Sequence, residues 1–299
     1  MTVLAPVVAR DRSSRVALAL GRIEARRILR HPVLAGGLVL SGIFGLLTLR
    51  FPDDWSGARY TVTPVLLGPV MVAISMAVAG SFHRERTALV ADAPVGEEVR
   101  AGGRVLGGLA LAALVTLIAA VVDVVIRARG GLDLGDAPGR TLHAQFALTE
   151  VLQQPSLAIL AVGAGAAAGR RLASHGSALL LLFTAWFPMV FVVWGFQDRA
   201  VVPLSIIQLQ PVSLPIATQA ADPSRYPADW LLSAPGEFQS AWMRLFTSGS
   251  LAGWHDLYLL GLAALLLGVA LPRGPRIVLV PAGAVAVAIG VTMQYLVIP

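Results

Sequence analysis

Residue types that could do chemistry are few in this sequence and are not spaced for catalysis. The 5 histidines lie in different gaps and helix ends, no His-Glu-x-x-His motif occurs, and the chain has 0 cysteines. A zinc protease site of that type and a thiolate nucleophile are therefore excluded. Ser174 and His175 are sequence neighbours and no Gly-x-Ser-x-Gly elbow is present, so a serine hydrolase triad is not indicated. We predict a non-catalytic chain with no metal site and no cofactor.

The basic side chains are all arginine, because none of the 23 Lys+Arg positions is a lysine. A Walker A phosphate loop requires a lysine that reaches the phosphates, and Schiff-base catalysis requires a lysine amine. Neither chemistry can reside in this chain. Any ATP hydrolysis that is coupled to it must come from a partner protein.

The composition indicates an integral membrane protein. With 56% hydrophobic and 13% charged residues and a mean hydropathy of +0.75, the chain has too little polar surface to cover a soluble fold of this length. The net charge of +6 then indicates contact with lipid headgroups before contact with nucleic acid. We expect membrane lipids and no nucleic acid among the partners.

Seven apolar stretches approach the roughly 20 residues that a helix needs to cross a hydrocarbon core of about 30 Å. The fourth begins with polar residues, and the sixth must pass Trp254, His255 and Asp256 before its apolar run. The sequence therefore predicts an all-α membrane protein with six to seven transmembrane helices, in which 32–299 form a single transmembrane domain. The stretches are 33–49, 62–82, 105–126, 146–169, 178–196, 251–271 and 277–297.

The placement of the arginines orients these helices. If the N-terminus is cytoplasmic, the gaps on the inner side hold about twice as many arginines as the outer gaps, in accordance with the positive-inside rule. We therefore predict a multi-pass protein of the cell (plasma) membrane with a cytoplasmic N-terminal segment over 1–31. A cleaved signal peptide is the alternative, but the long segment before the first apolar stretch favours an uncleaved helix.

The segment 14–30 has the pattern of an amphipathic helix at the inner membrane surface. At 100° per residue four of its arginines share one arc, opposite an arc of alanine, leucine and isoleucine. The arginines of that arc are Arg15, Arg22, Arg26 and Arg30, and the apolar arc is Ala17, Leu18, Ala25, Ile28 and Leu29. His31 and Pro32 then break the helix before the first span. One interpretation is an electrostatic anchor on anionic lipid; the other is a lever that contacts a cytoplasmic partner. The charged members of the helix are Arg22, Glu24, Arg26, Arg27 and Arg30.

The inner loop 83–104 is too long for a tight turn. A short helical piece over 85–91 is stopped by Asp92 and Pro94, and a second piece over 95–100 is expected to end at Gly102 and Gly103. Leu89 and Val90 are apolar in an otherwise charged loop, which favours a docking surface over a solvated connector.

These features resemble the type-2 permease subunits of ABC transporters. Such permeases open with an amphipathic helix that carries a Glu-x-x-Arg pattern, matched by Glu24 and Arg27, and they have a coupling helix between spans two and three. The resemblance implies separate ABC ATPase subunits and a second permease subunit, identical or homologous, as partners. It also implies short re-entrant helices in the outer loop 196–250. The residues it assigns to ATPase coupling are Glu85, Arg86, Leu89, Val90, Asp92, Pro94 and Arg100.

One feature departs from the family pattern, which usually stops after span six. The seventh stretch, 277–297, is additional unless one of the weaker stretches is not a full crossing.

Charged side chains are expected near the ends of the apolar stretches and not at their centres. Asp123 is placed near the outer surface, with Arg127 one helical turn further on. This disfavours an ion-coupled carrier. The GxxxG pairs Gly103 with Gly107 and Gly165 with Gly169 predict close helix packing. We therefore expect an exporter of an amphiphilic or lipid-like substrate, with a secondary carrier or channel, or a membrane assembly or anchoring protein, as alternatives.

Overall fold

The structure, a computed structural model, describes residues 4–50, 67–87, 95–132, 143–195, 199–206, 212–217, 231–233 and 243–298. These described residues are mostly helical and contain eight long α-helices. The helices are α1 (Leu4–Leu29), α2 (Pro32–Arg50), α3 (Gly68–Thr87), α4 (Glu97–Ala128), α5 (Leu148–Arg171), α6 (His175–Gly195), α7 (Gly249–Ala270) and α8 (Arg273–Val297).

Each of the seven predicted apolar stretches overlaps one of the helices α2 to α8. By length and composition, α4, α5, α7 and α8 could each cross a membrane, and α5 and α7 had been the weakest of the predicted spans. The N-terminal pair Ser13–Leu29 and Pro32–Leu46, bent by 53°, adds a fifth if it acts as one span. The described residues thus form a membrane-spanning protein with four to five candidate spans, and the arrangement with six to seven stays a prediction.

The break between α1 and α2 lies where the sequence predicted it. Pro32 is the first residue of α2, a position where its missing N–H costs nothing and its fixed φ suits a helix. The ring Nδ1 of His31 accepts a hydrogen bond from the N–H of Val33 at 3.3 Å. The side chain therefore satisfies one of the free donors at the start of α2.

Within the described part of 196–250, the chain forms a 3-10 turn, Val202–Leu204, and three strands. Strands β1 (Ser213–Ala217), β2 (Leu231–Ser233) and β3 (Met243–Thr247) make an antiparallel sheet in the order β1-β3-β2. The short re-entrant helices expected in 196–250 are therefore not what its described residues form, apart from the single 3-10 turn. Pro215 lies in β1, an edge strand, where a residue without an N–H is tolerated.

Helix α5 is the centre of the bundle. In the apolar window of α5 72% of the residues are buried, compared with 17% in α8, which therefore lies at the periphery. Gly165 and Gly169 of α5 approach the backbone of α3 at Ser75 and Ala79 so closely that a Cβ at either glycine would collide with it. The close packing predicted from this glycine pair is confirmed.

Helix α4 does not end at Gly102 and Gly103, as the sequence predicted, but continues to Ala128. A glycine inside a helix costs about 1 kcal/mol relative to alanine. Gly103 offsets this cost by allowing α1 to approach, because a Cβ at this position would lie 2.7 Å from the Cβ of Leu20. Tertiary packing thus overrides the local signal for a helix end.

Candidate functional site

Helix α1 lies against α4 along a stripe of small residues. Besides Gly103, Gly107 also faces α1, and a Cβ there would lie 2.9 Å from the Cβ of Glu24. On the α1 side, a Cβ at Gly21 would lie 2.9 Å from the Cβ of Leu106. The predicted close packing at the pair Gly103 and Gly107 is confirmed, and its partner is the N-terminal helix.

Glu24 joins α1 to the end of α3. Its side chain is only 10% exposed, and its Oε1 accepts hydrogen bonds from the Oγ of Ser81 at 2.5 Å and from Nη2 of Arg84 at 2.6 Å. Nη1 of Arg27 lies 3.6 Å from Oε2. The carboxylate therefore pairs with Arg27 of its own helix, which is three residues away, and more closely with Arg84 of α3.

Sequence reasoning missed the contact between Glu24 and Arg84. Its signal was the spacing of Ala17, Gly21, Glu24 and Ile28, which places a stripe of small and apolar residues with one carboxylate on one face of α1. The arginines Arg22, Arg26 and Arg30 are exposed, but so are Leu18 and Leu29 of the predicted apolar arc, and the interfacial position of this helix stays a prediction.

The predicted coupling residues are only partly within the described structure. Glu85 and Arg86 lie in the last turn of α3, and their side chains are not among those described. Arg100, in the first turn of α4, donates from Nη1 to the carbonyl oxygen of Val95. The positions of Leu89, Val90, Asp92 and Pro94 fall outside the described residues.

A second ion pair closes this end of the bundle. Arg170, at the end of α5, pairs through Nη2 with Oε1 of Glu97 at the start of α4. Nε of Arg171 donates to the carbonyl oxygen of Val269 in α7 at 3.2 Å. We give the name arginine end to the five residues joined by the Glu24 contacts and by this ion pair. They are Glu24, Ser81, Arg84, Glu97 and Arg170.

Two histidines from different gaps meet next to the arginine end. The rings of His83 in α3 and His175, the first residue of α6, stack with centroids 5.5 Å apart. Burial lowers the pKa of His175, and His83, His31 and Arg84 lower it further because like charges disfavour protonation. The sequence had placed these histidines apart, and only the packing of α3 on α6 brings them together.

The opposite end of the bundle holds its polar side chains in a different way. Nδ1 of His255 lies 2.8 Å from Oε1 of Gln294, and both residues are fully buried. Nε2 of Gln294 donates to the carbonyl oxygens of Pro203 at 3.2 Å and Gly290 at 3.1 Å. Since the amide nitrogen donates to both carbonyls, the amide oxygen accepts, and His255 carries its proton on Nδ1.

Side chains of α5, α7 and α8 bind the described part of 196–250. Oε1 of Gln153 in α5 accepts from the N–H of Val212 at 2.9 Å, beside β1. The hydroxyl of Tyr258 in α7 donates to the carbonyl oxygen of Leu204 at 2.9 Å. We call this set the amide end, defined by Gln153, His255, Tyr258 and Gln294 together with Asp256, which is buried beside Ser156.

Comparisons of the chain with protein-family models, with curated proteins and with solved structures found no match. The family resemblance therefore rests on the residues of this chain alone. Of the two ends, the arginine end includes Glu24 of the predicted interfacial helix. It also includes residues of α3 and α4 near the helix ends that flank the predicted coupling segment. It is the candidate functional site.

Proposed function

We propose that this chain is the transmembrane permease subunit of an ATP-driven ABC exporter. Separate ABC ATPase subunits hydrolyse ATP, a second permease subunit completes the pathway, and the substrate is amphiphilic or lipid-like. The chain lies in the plasma membrane with its N-terminus in the cytoplasm. The observation that carries the proposal is the link from Glu24 to Ser81 and Arg84.

This link connects the N-terminal helix α1 to the end of α3, next to the segment that the proposal assigns to ATPase contact. The segment 88–94 leaves the end of α3 and leads to the start of α4. Helix α1 is fixed to α3 by Glu24 and to α4 by the contacts of Gly103 and Gly107. Closely packed helices move as units, so a displacement of this segment would move all three helices together.

In the proposed mechanism, nucleotide closes the ATPase dimer and moves the segment around Leu89 and Val90. The arginine end transmits this movement to the helix bundle, which tilts and exposes a central path to the outside. Exposed apolar side chains on the peripheral helices, such as Val39 of α2 and Ile277 of α8, face lipid or the second permease subunit.

Site-specific crosslinking tests this proposal. A single cysteine is introduced as Val90→Cys in the otherwise cysteine-free chain, and a cysteine-reactive photocrosslinker is attached after purification in mild detergent with its native partners. We expect adducts with a protein that carries a Walker A motif, identified by mass spectrometry. The matched control is Ser250→Cys, exposed at the start of α7 near the amide end, which should give no such adduct.

Two results would count against the exporter. One is a complex with an ATPase in which position 90 gives no adduct while position 250 does. The other is full transport activity of the purified chain in liposomes with no ATPase present.

A secondary carrier is the second candidate, favoured by the buried carboxylates Glu150 and Asp256, which are 2% and 7% exposed. Buried ionisable groups in membrane helices are a feature of ion-coupled transport. Ion-gradient-driven uptake into liposomes without ATP, abolished by Asp256→Asn, would favour this function over the exporter.

A further inference from the structure

A cavity of about 360 Å³ opens between α2, α3, α4 and α5. Its size falls in the range of pockets that hold small ligands, roughly 300–1,000 Å³. Most of its wall is apolar and includes Leu38, Val70, Ile118 and Phe146. An aliphatic chain would find a hydrocarbon-like environment in it.

One side of the cavity carries acidic side chains. Asp123 and Glu150 both line it, the first from α4 and the second from the first turn of α5. Oε2 of Glu150 accepts from the N–H of Ala147 at 2.6 Å, so its side chain is held in place at the start of the helix.

Asp123 forms an ion pair with Arg127, one helical turn further on, but the pair uses only one carboxylate oxygen. Nε of Arg127 donates to Oδ2 of Asp123 at 2.7 Å. The arginine then turns away, because its Nη1 donates to Gln145 and its Nη2 to the carbonyl oxygen of Phe146. The arginine side chain is 43% exposed, and the aspartate side chain 16%.

Buried acceptors on α2 and α4 lack a donor at this cavity. Oδ1 of Asp123 and Oγ of Ser41, both on residues that line it, have no hydrogen-bond partner among the described residues. A buried acceptor without a donor costs about 1–3 kcal/mol. A ligand that brings N–H donors would remove this cost, whereas a carboxylate or phosphate ligand would add like charge next to Asp123 and Glu150.

We propose that this cavity binds an aliphatic ammonium amphiphile. The hydrocarbon chain lies among the apolar side chains of α2, α3 and α4, and the ammonium group donates to Asp123 and Ser41. A protonated amine has three donors and one positive charge, which matches the acceptors and the acidic character of this wall. Binding is independent of any ATPase; only the further step, that the bound ligand is the exported cargo, rests on the proposed function.

Dodecylammonium is the probe, with dodecanoate and dodecanol as matched ligands of the same chain length. The full chain is reconstituted in lipid nanodiscs, and binding is measured by calorimetric titration and by the shift in Tm. We expect dodecylammonium to bind at least about tenfold more tightly than either matched ligand, since one charge-assisted hydrogen bond corresponds to that factor or more.

Helix α2 offers a matched pair of variants. A Cβ at Gly42 or at Gly36 would meet no atom within 4 Å, but only Gly42 lines the cavity. Gly42→Leu should fill the cavity and remove binding, whereas Gly36→Leu should bind like the unmodified chain. Both add the same apolar surface, so partition of the probe into the lipid cannot explain a difference.

The charge requirement is tested by Asp123→Asn and Glu150→Gln, each compared with Glu98→Gln, which removes an exposed carboxylate in the first turn of α4, away from the cavity. We expect the first two to weaken binding by about tenfold or more and the control to leave it unchanged. Equal binding of the three ligands, or equal binding by the Gly42 and Gly36 variants, would overturn the proposal. Loss of dodecylammonium binding leaves the crosslinking result at Val90 untouched, so the two proposals can fail separately.

Discussion

The arginine end and the amide end hold polar side chains on the same bundle under different physical conditions. At the arginine end, Arg84 and Arg170 remain partly exposed while they pair with carboxylates of other helices. At the amide end, His255 and Gln294 are fully buried and use neutral hydrogen bonds. Pairs that stay partly solvated can separate and re-form at low cost, but buried amides cannot.

This difference indicates which end can move. Rearrangement at the arginine end lets the partly exposed Arg84 and Arg170 exchange their carboxylate partners for water, as the proposed coupling would require. Rearrangement at the amide end would leave Gln294 or the carbonyl oxygen of Pro203 buried without a partner. We therefore expect the amide end to act as the fixed part of the bundle and the arginine end as the adjustable part.

The largest effect is expected for Gln294→Leu at the amide end. The change leaves Nδ1 of His255 and the carbonyl oxygen of Pro203 without their partner, at about 1–3 kcal/mol for each. The free energy of unfolding, measured by denaturant titration in detergent, should fall by about 3 kcal/mol. Thr292→Leu, exposed on the same helix, is the control. An equal, small change for both would show that the amide end is not the fixed part.

A smaller loss is expected where α1 packs on α4. In Gly107→Ala the new Cβ would lie 2.9 Å from the Cβ of Glu24, so α1 must shift, at roughly 1–3 kcal/mol for an overpacked contact. Gly102→Ala on the same helix meets open space and should stabilise the chain by up to about 1 kcal/mol. Thermal unfolding followed by circular dichroism compares the two. A Gly107→Ala protein as stable as Gly102→Ala would mean that the contact is loose.

The sequence predicted the helices well because long apolar stretches leave the backbone few alternatives in a membrane. It also located the break at Pro32 and the close approach at Gly103 and Gly165, where residue type alone limits the geometry. It was wrong about the end of a helix at Gly102 and Gly103, because the packing of α1, distant in sequence, stabilises those glycines in a helix.

The candidate site was harder to predict than the fold. The sequence marked Glu24 by its spacing from Arg27, but its shorter contacts are with Ser81 and Arg84. His255 and Gln294 were missed for the same reason. His255 lies near the start of α7 and Gln294 near the end of α8, and only the packing of the two helices brings them together. Spacing along one helix predicts a face, whereas the choice of partner depends on the arrangement of helices.

At the arginine end, Glu24→Gln should affect coupling more than stability. The amide can still accept from Ser81, so only the charge that attracts Arg84 is lost, and we expect a loss of about 1 kcal/mol or less because Arg84 is partly exposed. In the proposed complex with ABC ATPase subunits, the ATPase rate should respond less to this chain. The exchange Glu24→Arg with Arg84→Glu should restore the response in part, whereas Glu98→Gln should leave it unchanged. A normal response in Glu24→Gln would separate the link from coupling.

The smallest effect is expected from the pH dependence of the stacked histidines. Because burial and the nearby His83, His31 and Arg84 lower the pKa of His175, the unfolded chain takes up this proton more readily than the folded chain. Above the ordinary histidine value of about 6.5 both states are neutral and the histidine has no effect; below it, the folded state loses stability as the pH falls towards the lowered pKa. The Tm should therefore decrease less between pH 7.5 and pH 5.5, both roughly one unit from that value, in His175→Gln than in the unmodified chain. His143→Gln, exposed outside the arginine end, should keep the full decrease. If His175→Gln loses as much stability on acidification as His143→Gln, the stacked pair does not respond to pH, and the arginine end is adjustable through its ion pairs alone.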